Sequence, residues 1–193
     1  RFLKIKELIE SGAIGEVRFV SVTLYEPPAP EDLSSEVPWR VVPEIAGGGR
    51  FVDLAAHTLD FLDYALGPIE EAKGQASNQA GNHNAEDIVT GTFKFKSGVH
   101  GTGVWCFSAY DKRDVTEIVG STGRISFSTF GVEPVKLSTE TDTIEYAFDN
   151  PQHISQPLIQ TVVNELIGVG RCPSTGESAA RTSWVMDQML KAA

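Results

Sequence analysis

The 193-residue chain carries 26 acidic against 16 basic side chains, a formal charge of −10, with no lysine or arginine cluster to bring a polyanion close. No nucleic-acid partner is expected. No apolar run approaches the roughly 20 residues that a membrane span needs, and no signal-peptide pattern opens the sequence, so a cytoplasmic protein with no membrane partner is expected.

A hydrophobic content of 41% suits one compact domain over residues 1–193. Arg1 already stands inside a helical pattern, where a natural N-terminus supplies methionine, so the chain is expected to be part of a longer one. Phe2, Ile5, Leu8 and Ile9 recur at helical spacing ahead of Gly12, predicting a helix over 2–11 with Gly12 as its C-cap. "EVRFVSVTLYE" alternates and is β-branched, predicting a strand over 16–26. The prolines and acidic residues that follow predict a loop of about 20 residues, a length usually tied to function.

Phe51, Leu54, Ala55, Leu59, Leu62 and Leu66 share one side of a 3.6-residue helix that Gly67-Pro68 terminates, predicting a helix over 50–66. From Ile69 to Phe148 the pattern becomes short β runs: "EEAKGQAS", "EDIVTGTFKF", "GVHGTGVWCFS", "DVTEIVG", "GRISFS", "VEPVKLS" and "TIEYAF". Lys96-Ser97-Gly98 and Ser121-Thr122-Gly123 are expected hairpin turns. Glu86-Asp87 is expected at a solvated strand end. Helices return in "ISQPLIQTVVNELIG" and "STGESAARTSWVMDQML", the second with Ser174 and Glu177 spaced as a capping box. The sum is an α+β fold with a mostly antiparallel open sheet and helices on one face. Val104 and Trp105 are expected among the exposed positions of that sheet. Cys106 and Cys172 lack disulfide or zinc spacing and are expected to be buried or inert.

Asp53 and His57 lie i, i+4 on the helix behind Gly47-Gly48-Gly49, so both project into one space, beside Phe61. Spacing alone leaves several readings: a surface pair or a core histidine; an acid–base pair in which a neutral imidazole takes a hydroxyl proton; or two ligands of a metal, with His83, His100 or His153 as a third. The glycines lack a nucleotide fingerprint and are read as a tight turn into the helix. His153 is expected in a solvated loop and His100 on a sheet face.

"WRVVPEIAGGGRFVDLAAHTLDFLDYALG" resembles the second domain of the glucose–fructose oxidoreductase/inositol dehydrogenase family, with its Trp-Arg, glycine cluster and D-x-x-x-H-x-x-D helix. "IKELIESGAIGEV", "EIVGSTGRISFS" and "STGESAARTSWVMDQML" are similar to the family's helix-to-strand entry, mid-sheet turn and final helix, so the resemblance covers essentially the whole chain. It implies the C-terminal domain of a two-domain dehydrogenase. The family's Rossmann domain, its glycine fingerprint and its E-K-P segment with a catalytic lysine have no counterpart in the sequence. The resemblance further implies NAD or NADP, bound mainly by that first domain; no metal is expected, because none of the histidines shows a dense ligand motif such as H-E-x-x-H. His57 then matches the proton-transfer histidine, and Asp53 the carboxylate beside it on the substrate hydroxyl. Trp39 and Arg40 match residues at the cofactor–substrate cleft. The terminal helix, 174–193, is expected to pack towards the first domain.

Two functions of different class follow as expectations. One is the substrate-binding and oligomerisation part of an NAD(P)-dependent oxidoreductase for a sugar, cyclitol or similar polyol, inactive alone and pairing into a homodimer or homotetramer through the open sheet. The other is a stand-alone, non-catalytic binding or assembly domain. Asp53, His57, Trp39 and Arg40 together favour the first, because an assembly module has no use for four such groups at one loop–helix junction.

Overall fold

The computed structural model describes residues 1–191; the last two residues of the expected 174–193 helix lie outside them. In chain order the elements are α1 (Phe2–Glu10), β1 (Val17–Tyr25), 3-10 turns at Pro30–Leu33 and Trp39–Val41, α2 (Pro43–Ala46) and α3 (Arg50–Leu66). Strands β2 (Ile69–Ser77), β3 (Ile88–Phe95), β4 (His100–Cys106), β5 (Arg113–Gly120), β6 (Gly123–Phe127), β7 (Val135–Thr139) and β8 (Thr143–Tyr146) follow. Helices α4 (Gln156–Leu166) and α5 (Gly176–Leu190) complete the described chain.

The strands form one sheet in the order β2-β3-β4-β1-β5-β6-β7-β8. Strand β1 inserts between β4, which it meets in parallel, and β5, which it meets antiparallel; the other described pairs are antiparallel. The two ends of the sheet are hairpin meanders, so the central insertion supplies its long-range connectivity. Alternation along each strand sends one set of side chains under the helices and the other to the open face. On β4, Gly101, Gly103 and Trp105 lie on the helix side, while His100, Thr102, Val104 and Cys106 lie on the open one.

Helix α3 covers the centre of the sheet with Phe51, Ala55, Leu59 and Leu62, all buried. Phe51 meets Trp105 edge-on with ring centroids 5.1 Å apart, and Phe61 packs on Phe2 of α1 at 4.7 Å and on Phe127 of β6 at 5.5 Å. Trp105 is therefore fully buried, contrary to the expectation of an exposed position. Its ring lies against Gly103, where a Cβ would come within 2.2 Å of the indole, so a residue without a side chain is required there.

Helix α5 packs on β2 and α3, its Met189 seated against Gly74 and Gly91. Its capping box falls one residue later than expected. Thr175 is the N-cap: its hydroxyl accepts from the Ser178 amide at 3.2 Å, and Ser178 Oγ accepts from the Thr175 amide at 2.9 Å. Glu177 instead reaches Arg181, at 3.5 Å. Arg181 also makes a two-pronged bond to Asp63 of α3, at 2.9 and 2.6 Å, which fastens the two helices together.

Helix α4 is amphipathic but buries none of its residues; Leu158, Ile159, Val162, Val163 and Leu166 stay between 41% and 81% exposed. Cys172 tethers it, the amide donating to Glu165 Oε2 at 3.1 Å while Sγ accepts from Thr161 at 3.3 Å. Both cysteines are free thiols, Cys172 buried and Cys106 partly so. Among the described residues no helix is long and apolar enough to cross a membrane.

The expected loop is locally ordered rather than free. Arg50, in the first turn of α3, donates to Asp32 through Nε at 2.6 Å and Nη2 at 2.9 Å and to Glu31 at 2.8 Å, with Asp32 almost fully buried. Removing Asp32 strands a largely buried guanidinium on one exposed partner. Asp32→Ala is expected to cost about 3 kcal/mol, the low end for breaking a buried ion pair, read as a lower urea midpoint at unchanged slope.

Asp60 sits half-buried on the α5 side of α3, and burial together with the nearby Asp63 carboxylate raises its pKa above the ordinary carboxylate range. The folded state thus holds the Asp60 proton more tightly than the unfolded chain does. That contribution is fully present below the unfolded pKa of about 3.9 and is lost as pH rises through the raised folded value. Asp60→Asn is therefore expected to raise the Tm at pH 7, and the gain should fade towards pH 3; an equal gain at both pH values contradicts the assignment.

Candidate functional site

The site is built at the N-terminal half of α3. Gly47 ends α2 with φ +81°, and the chain then turns through two buried glycines into α3. A Cβ on Gly49 would lie 2.4 Å from the Glu86 carbonyl oxygen, so the glycines let the turn press against the β2–β3 connection. Glu86 Oε1 accepts from the Gly49 amide at 2.7 Å and supplies the negative charge that a helix N-terminus attracts. The protein's own carboxylate thus fills the position a phosphate would take.

Glu86-Asp87 is consequently no solvated strand end. Asp87 is buried and accepts from the Gln79 and Ala80 amides, both at 2.8 Å, closing the connection on itself. Burial with two amide donors explains the choice of Asp over a neutral side chain.

Asp53 and His57 lie one turn apart on the exposed flank of α3, so neither is the core residue that spacing left open. Phe61, one turn beyond His57, is buried against Phe2 and Phe127. Asp53 Oδ2 accepts from Arg40 Nε at 3.1 Å, and the Arg40 guanidinium stacks on the Trp39 indole with its carbon 4.7 Å from the ring centroid. These groups stay open, with side-chain exposures of 47% for Arg40 and 43% for Asp53, and 55% for Trp39 as a residue. The sequence residues Trp39, Arg40, Asp53 and His57 are therefore drawn to one junction, three of them in direct contact. Among the described residues the guanidinium hydrogen-bonds through Nε alone, to Asp53.

On the other side, His57 meets Phe130 edge-on with centroids 5.6 Å apart. Sequence reasoning missed Phe130, which sits after β6 in no periodic pattern, and missed Asp32, Arg50 and Glu86, which are ordinary charged residues until the fold brings them together. His100 stands on the open face of β4, and His153 is exposed before α4. No cluster of three or more His, Cys, Asp or Glu suited to a metal occurs among the described residues, so Asp53 and His57 do not acquire a third ligand from His83, His100 or His153.

What this junction can do chemically is hold a hydroxylated molecule. An imidazole, a carboxylate and a guanidinium offer a proton acceptor, an anionic acceptor and planar donors within one turn of helix and its facing loop.

Comparison with known proteins gives a consistent picture. The family model for the GFO/IDH/MocA C-terminal domain matches residues 2–126. Oxidoreductase P35 of Formosa agariphila is 34% identical over 187 residues, covering 96% of this chain and 57% of that protein. Myo-inositol 2-dehydrogenase of Thermotoga maritima is 30% identical over 148 residues, covering 72% of this chain and 41% of that protein. The chain thus spans about half the length of the curated relatives it matches. A levoglucosan dehydrogenase in complex with NADH shares the fold at a TM-score of 0.81 and 18% identity, over 95% of this chain and 58% of its own. With more than half its length matched by the family model and a relative above 30% identity across nearly all of it, the chain belongs to the GFO/IDH/MocA family, as its C-terminal domain.

Proposed function

We propose that this chain is the substrate-binding and oligomerisation part of an NAD(P)-dependent oxidoreductase acting on a sugar, cyclitol or similar polyol. The observation that carries this reading is the junction of Asp53, His57, Arg40 and Trp39, exposed and unburdened by core packing. The relatives support it: one is named for oxidation of myo-inositol and a structural neighbour for levoglucosan, the latter with NADH bound.

In the proposed reaction a substrate CH–OH becomes C=O. His57 accepts the hydroxyl proton, and Asp53 accepts a hydrogen bond from the same or a neighbouring hydroxyl and fixes its direction. Arg40, braced by Asp53 and Trp39, turns its remaining N–H donors towards substrate or cofactor oxygens. NAD or NADP, bound mainly by a separate dinucleotide-binding domain, supplies the hydride acceptor. The exposed apolar side chains of α4 and the outer side of α5, including Trp184 at 40% exposure, give such a domain a surface to cover. A cytoplasmic setting suits this cofactor.

The open sheet face is the surface for self-association. Its centre mixes Thr23, Thr90, Thr102, Val104 and Val115, threonines and valines well suited to lie against a copy of themselves. The same face would serve the non-catalytic alternative, so association alone does not separate the two.

Two experiments test the proposal. With the chain joined to a dinucleotide-binding domain of its family, His57→Ala is expected to lower kcat by about 10² to 10⁴ while leaving cofactor affinity within about twofold. Normal turnover in that variant removes His57 from the chemistry. Sedimentation velocity should show dimers or tetramers for the wild type and monomers for Val104→Glu, which sets like charges face to face; unchanged association places the interface elsewhere.

A further inference from the structure

Phe130 lies in the loop between β6 and β7, remote in sequence from the helix that carries His57, yet the two rings meet edge-to-face at 86°. The ring is 39% exposed, so the core does not account for its position.

Two clamps do. The Asp114 carboxylate, at the start of β5, accepts from the Ser128 hydroxyl, from the Thr129 amide at 3.2 Å and from the Phe130 amide at 2.7 Å. Ser128 Oγ in turn accepts from the Gly131 amide at 2.6 Å, so the loop cannot shift without stripping donors from a carboxylate. The second clamp joins the loop to α3: Thr129 and Thr58 share a buried hydroxyl–hydroxyl bond of 2.9 Å. These two threonines are the immediate neighbours of Phe130 and His57, so the bond registers the two rings one residue away from each.

A solvent-facing histidine on a helix ordinarily samples more than one side-chain rotamer, and that freedom is lost if it is to act at one place. Proton transfer demands a nitrogen held within hydrogen-bond reach of the reacting hydroxyl. We propose that Phe130 is a positioning residue, its clamped ring confining the His57 imidazole to a single orientation at the junction. The catalytic value of this confinement rests on the proton-transfer reading of His57; the confinement itself does not.

The test is side-chain NMR of the 193-residue chain, reading the χ1 couplings and ring-proton shifts of His57. The wild type is expected to show one rotamer, with ring protons displaced by the Phe130 ring current. In Phe130→Leu those shifts should collapse towards the free-histidine positions and the couplings should average, and Phe130→Tyr should restore both. Asp114→Asn keeps both rings but weakens the clamp, and should fall between. A His57 that averages in the wild type overturns the proposal without any variant, as does a single rotamer in folded Phe130→Leu. If His57→Ala turns over normally in the assembled enzyme, the catalytic reading fails while a confined His57 still stands.

Discussion

Phe51 meets Trp105 edge-on where Gly103 leaves room for the indole, and this contact locates α3 over the centre of the sheet. Burying Phe51, Leu59 and Leu62 contributes about 1.5–3 kcal/mol each, whereas an exposed ion pair such as Arg40–Asp53 contributes about 0–1 kcal/mol. The core therefore sets where the helix lies. The polar groups on its outer flank inherit that position and are free to be chosen for chemistry.

Three connections then converge on the helix, each held by a carboxylate. Asp32 takes Arg50 and pins the long segment that carries Trp39 and Arg40. Glu86 caps the helix at Gly49 and brings in the β2–β3 connection. Asp114 gathers three donors and orders the loop bearing Phe130. An excess of acidic residues that at first indicates only a lack of affinity for polyanions is thus partly structural: several carboxylates are spent on fixing loops around one short stretch of helix.

Much of this was legible beforehand. The span of α3 and the succession of short strands along the chain follow from periods of 3.6 and 2, which burial enforces over many residues at once, whereas the insertion of β1 between β4 and β5 does not. Asp53 and His57 stood out because polar groups interrupt such a period, and the family resemblance gave Trp39 and Arg40 a reason to be near them. The failures are of another kind. Alternation puts Val104 and Trp105 on opposite faces, so the two cannot share the open one, and the glycines at 101 and 103 mark the face on which Trp105 is covered. The shift of the capping box from Ser174 to Thr175 turns on a single residue of helix start. Asp32 and Asp114 find their partners through the fold, and Phe130 reaches His57 across 73 positions of sequence, so no local pattern announces them. The period of α4 predicts its helix, but a period does not reveal that its apolar side is left uncovered.

The decisive measurement is a structure of the assembled protein with a nicotinamide cofactor and a polyol bound. The expected result places the reacting hydroxyl about 2.6–3.2 Å from a His57 ring nitrogen, with Asp53 on the same or the adjacent hydroxyl and Arg40 directed at oxygens of the bound molecules. A polyol whose reacting carbon faces the cofactor away from the exposed flank of α3 contradicts the assignment of this junction as the place where the chemistry occurs.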